Sequence, residues 1–139
     1  MRTFYIFKIN KMFQTLYNDK SNVLYKIFFD IYYTKKVTKN LKLFEKIIKP
    51  FDKKNINNYI LLRHSSDLYY IKKGNYHLIN NEYETSSILI NKTYIKIKSD
   101  INLNSFIKDI INYNEVVFVI DFKNKDYFWL NKETNKILV

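Results

Sequence analysis

The chain has 139 residues, 47% hydrophobic and 18% aromatic, with one Gly, one Pro and no Cys. That length sits near the modal domain size and allows roughly 68% of the unfolded surface to be buried; so little Gly and Pro argues against a linker or low-complexity chain, and residues 1–139 read as a single domain. Lacking cysteine, the chain has no disulfide, thiolate metal site or cysteine nucleophile, and its formal charge of +11 points to an anionic partner or to AT-rich codons, which favour Lys, Asn, Ile, Tyr and Phe.

Thr3 to Asn10 is aromatic and loosely alternating, so it reads as a strand. Asn10 can cap a short helix over Lys11 to Tyr17, with Phe13, Leu16 and Tyr17 at helical spacing. Asn22 to Tyr33 carries Val23, Leu24, Ile27, Phe28 and Ile31 in one stripe, a helix lying on a sheet. Thr34-Lys35-Lys36 ends it with charge that suits the helix dipole. Thr38 can cap another helix, Lys39 to Lys49, whose apolar face is Leu41, Phe44, Ile47 and Ile48 and which Pro50 stops. Phe51 to Asn58 is polar and reads as a loop, and Tyr59 to His64 fits either a strand or a helical turn.

Leu68 to Ile71 and Tyr76 to Ile79 flank the only glycine, Gly74, as a hairpin, with a helix as the competing reading of the first arm. After a polar loop, Ser86 to Asn91 and Thr93 to Lys98 read as strands, the second with one solvated face. Leu103, Phe106, Ile107, Ile110 and Ile111 predict a helix from Leu103 to Tyr113, capped by Asp100 or Asn102. Val116 to Ile120 is the longest unbroken apolar run, a strand buried on both faces. A turn at Lys123 to Asp126, with Asn124 expected at positive φ, leads to a strand from Tyr127 to Leu130 that carries the only tryptophan, Trp129. Ile137-Leu138-Val139 is an apolar tail able to dock on an edge. The expected architecture is α/β of the α+β kind: a mixed, largely antiparallel sheet of about five strands packed by three to four helices.

No phosphate loop, glycine-rich nucleotide turn or His-x-x-x-His pair is present, and neither cofactor nor metal is expected. Asp121, ending a buried strand, could serve a metal-dependent hydrolase or simply open a turn by accepting from backbone N–H groups. His64 and His77 stand alone and read as boundary or surface residues. Tyr69-Tyr70-Ile71-Lys72-Lys73 and Tyr94-Ile95-Lys96-Ile97-Lys98 interleave rings with charge, either as a platform for single-stranded nucleic acid or as a lysine-rich solvent face. Phe13 and Tyr17, four apart on a helix too short to stand alone, are core aromatics or partner anchors; if Leu16 packs inward, at least one of the pair is left partly exposed. No apolar stretch approaches the ~18 residues of a membrane span, and Met1 to Lys8 lacks signal-peptide features, so a soluble cytoplasmic protein is expected.

Thr3-Phe4-Tyr5-Ile6-Phe7-Lys8-Ile9, Phe13-x-x-x-Tyr17, Ser21 and Leu24-Tyr25-Lys26-Ile27-Phe28 resemble the N-terminal region of the sporulation inhibitor of replication (SirA) proteins of Gram-positive bacteria. Val119-Ile120-Asp121-Phe122-x-x-Lys125-x-Tyr127-x-Trp129-Leu130-Asn131 is similar to that family's C-terminal signature, in the same order and at the same separation. The resemblance implies a non-enzymatic inhibitor of chromosome replication that binds the N-terminal domain of the initiator DnaA. It also implies that Phe13 and Tyr17 are anchors; around them, Asn10, Lys11 and Gln14 are the expected polar rim. The family uses a polar position on the helix that ends at proline; the match here is Leu43, which is apolar. A basic nucleic-acid-binding module is the alternative reading.

Overall fold

The computed structural model describes residues 1–34, 39–113 and 115–130. Its strands are β1 (Arg2–Lys8), β2 (Tyr70–Lys73), β3 (Tyr76–Asn80), β4 (Thr85–Ile90), β5 (Ile95–Ser99), β6 (Val117–Asp121) and β7 (Asp126–Leu130). Its helices are α1 (Lys11–Tyr17), α2 (Ser21–Thr34), α3 (Lys39–Ile47), α4 (Lys53–His64) and α5 (Ser105–Asn112). The strands form one sheet in the order β2-β3-β4-β5-β1-β6-β7, every pairing antiparallel. The fold is therefore α+β, with seven strands and five helices among the described residues.

Period-2 alternation divides the side chains between two layers. From β1, Phe4 and Ile6 join Ile88, Ile90, Ile95, Ile97, Val117 and Val119 on one face, where Ile56 and Ile60 of α4 and Phe106, Ile107, Ile110 and Ile111 of α5 cover them. Phe7 and Ile9 point the other way, with Phe118, Ile120 and Phe122, beneath Leu24, Ile27 and Phe28 of α2 and Ile47 of α3. Both layers meet at β6, which is why all five of its residues are buried and why its sequence runs apolar without alternation.

The second face is covered only in part. Register places Lys73, Tyr76, Leu89, Lys96 and Tyr5 in one cross-strand row, and Ile71, Leu78, Ser87, Lys98 and Thr3 in the next. Of these, only Tyr5 is packed against a core cluster. Ile71 is 61% exposed and Tyr76 40%. Half of the sheet thus presents an open face.

Four elements differ from the expected ones. Phe51 to Asn58 is not a loop: Asp52 caps α4 by accepting from the Asn55 amide at 3.2 Å, and the ambiguous Tyr59 to His64 continues that helix. The last helix begins two residues late, because Asn104, not Asp100 or Asn102, accepts from the Ile107 amide at 2.9 Å; Leu103 lies outside it, 45% exposed. In the β6–β7 turn the residue at positive φ is Lys125 (54°), not Asn124. α3 ends at Ile47, and Ile48 instead bridges to Ile9. The cap expected at Thr38, the charges at Lys35 and Lys36 and the tail at Ile137 to Val139 lie outside the described residues.

Candidate functional site

Seven residues make a helix that is marginal on its own in water, so α1 must be held by its surroundings. Asn10 supplies the cap: its Oδ1 accepts from the Met12 amide at 3.1 Å and its carbonyl from Phe13 and Gln14. The Asn10 amide donates to the Ile47 carbonyl and the Lys49 amide to the Lys8 carbonyl, each at 2.7 Å. With the Ile9–Ile48 bridge, these bonds fix the end of α3 beside the start of α1. The Gln14 side-chain amide donates to the Ile9 carbonyl at 2.8 Å, and the Lys20 amide closes the far end on the Tyr17 carbonyl.

No residue of α1 is fully buried. Phe13 and Tyr17 are half-buried, their rings near-parallel with centroids 6.3 Å apart, and both pack on the cluster beneath α2 and α3. Leu43 of α3 is half-buried against the same cluster. The condition set by Leu16 turns out reversed: it points outward, 55% exposed, and Met12 is 67% exposed. Four of the seven residues are therefore apolar, and the fold consumes only the inner edges of two. Of the expected rim, Lys11 is exposed, while Asn10 and Gln14 each already serve the helix.

The residues considered for chemistry are occupied structurally. Asp121 does open the turn, accepting from the Asn124 amide and side chain at 3.2 and 2.7 Å, and it also pairs with Arg2 at 2.8 Å. Burial pushes its carboxyl upward, but the bonds from Asn124 and Arg2 outweigh that and hold it below the usual carboxylate value. His77 is not a surface residue but fully buried. Tyr70 Oη lies 2.6 Å from its Nδ1 and Asn57 Oδ1 2.7 Å from its Nε2. Because Asn57 donates its amide to Asn75, its oxygen accepts from His77 Nε2–H, leaving Nδ1 to accept from Tyr70. His64 pairs with buried Asp109 at 2.5 Å, beside Arg63 at 2.7 Å. Among the described residues no group of three or more His, Asp or Glu is placed to hold a metal ion, and no helix is long and apolar enough to cross a membrane.

An antiparallel sheet covered by helices on one face and on part of the other, with Asp109 and Asp121 committed to internal pairs and apolar side chains left outside on a braced helix, defines an α+β protein. The chain belongs to the family of the sporulation inhibitor of replication protein SirA, whose family model matches residues 2–133. A search of curated proteins finds no match. Membership places the chain among regulatory inhibitors of replication associated with sporulation.

Proposed function

We propose that this protein restrains replication initiation by binding the N-terminal domain of the initiator DnaA, with α1 as the centre of the contact. The carrying observation is a helix of which no residue is fully buried, yet whose outer surface is apolar at Met12 and Leu16 and flanked by the partly open rings of Phe13 and Tyr17. Half-exposed rings already held by the core lose little side-chain entropy when covered, which favours them as anchors. Lys11 and the unused groups of Asn10 and Gln14 form the rim. Leu43 lies on the neighbouring helix and adds apolar area where the family pattern has a polar group. A patch of this kind suits a standard interface of roughly 800 Å² per partner, and occupancy of the initiator face denies it to other contacts.

Calorimetry with the N-terminal domain of the same organism's DnaA tests the reading. Phe13→Ala and Tyr17→Ala are each expected to weaken binding by about tenfold or more, with only modest loss on raising the salt. Absence of binding at tens of micromolar, or binding indifferent to both substitutions, would contradict it.

A further inference from the structure

A second surface lies away from α1, on the open half of the sheet. Lys96 and Lys98 stand side by side on β5 between two concavities and line both. One, about 270 Å³, has walls from Tyr5, Tyr32 and Phe122, with Lys123 at its edge. The other, about 160 Å³, has Tyr76 as its aromatic wall. Lys73 lies directly across from Tyr76 in the sheet register. Lys73, Lys98 and Lys123 make no ion pair among the described residues, and the two open cross-strand rows contain no Asp or Glu.

We infer that this open face is a binding site for single-stranded nucleic acid. Charge complementarity carries the choice of occupant: Lys73 and Lys96 in one cross-strand row and Lys98 in the next, with no acid in either row, match a phosphodiester track, Asp121 at the larger concavity is already paired with Arg2, and the overall charge of +11 adds a favourable long-range field. The alternation of charge with aromatic concavities favours a single strand over a duplex. A phosphate at Lys96 and Lys98 leaves one base to each side, against Tyr76 or within the Tyr5–Tyr32–Phe122 hollow, and stacking of this kind needs unpaired bases. The site is independent of the α1 surface, so each can fail without the other.

The test is fluorescence anisotropy of the full chain with a labelled strand of about 20 thymidines, over roughly 50 to 200 mM salt, and with a duplex of the same length. Binding to the single strand is expected to exceed that to the duplex. Lys98→Ala should reduce the slope of log affinity against log salt by about 0.7, the share of one phosphate on a single strand. Tyr76→Ala should weaken binding about fivefold or more with the slope unchanged. Lys108→Ala, on the opposite side of the sheet, and Phe13→Ala should change neither quantity. Unaltered Trp129 fluorescence and thermal unfolding would show that the variants are folded. No binding, equal binding to duplex, or equal losses in Lys98→Ala and Lys108→Ala would each overturn the inference.

Discussion

The imidazole of His77, shut between the sheet and α4, is held neutral by its surroundings. Burial is the main cause, aided by the charges of Lys72 and His64, and it lowers the pKa from 6.5 to about 4. Between those values the unfolded chain binds a proton that the folded chain refuses. Stability is therefore full above about pH 6.5 and falls as the pH drops towards 4, by about 1.4 kcal/mol per unit and about 3 kcal/mol in all. Urea unfolding followed by Trp129 fluorescence at pH 7 and about pH 4.5 should show the loss, and His77→Gln should flatten that part of the profile. The partner hydroxyl of Tyr70 is pushed up to about 12, chiefly by burial; Tyr70→Phe leaves Nδ1 without its donor and should cost about 1–3 kcal/mol at pH 7. The same unfolding measurement checks it. Asp121→Ala removes one of three acceptors of Arg2, which keeps Asn102 and Asp126, and the acceptor of the β6–β7 turn. Because Arg2 is partly open to solvent, the cost should be about 2 kcal/mol, below that of breaking a fully buried pair.

At the level of elements, the sequence is most readable where one period dominates. β6, with five buried residues, and α2, with one broad stripe, both stand where their patterns put them. α4 is hidden because Lys53 to Asn58 contains three Asn and only Ile56 as an apolar residue, and because the run Tyr59 to Leu62 is apolar without a helical period, with Leu62 in fact 78% exposed. Its signals were Asp52 as cap and the Ile56–Ile60 pair four residues apart. Asn57 looked like loop material, yet its side chain bonds His77 and Asn75, a pairing between residues far apart in sequence. Removing the cap with Asp52→Ala should cost about 1 kcal/mol, read as a lower urea midpoint without a change in its slope. The start of α5 departs from the pattern because Leu103 fits the apolar spacing of that helix, yet the nearer Asn104, fully buried, takes the cap. For α1, the limits and cap were legible, but the outward direction of Leu16 was not, since it depends on where α2 and α3 cross the sheet.

Across the whole molecule, the two helical layers leave two kinds of surface unspent. One is the apolar outer side of α1, braced by bonds from β1 and α3. The other is the lysine-rich open half of the sheet. Net positive charge would speed encounter with any acidic partner at either surface, so salt dependence of the rate alone does not locate the contact. The location is read most directly by amide hydrogen exchange of the full chain with and without the N-terminal domain of DnaA. Added protection over Lys11–Tyr17, together with the adjoining α3 and no change in β2 to β4, is the predicted result. Protection confined to β2–β5 with α1 unchanged would contradict the assignment of α1 as the initiator-binding surface.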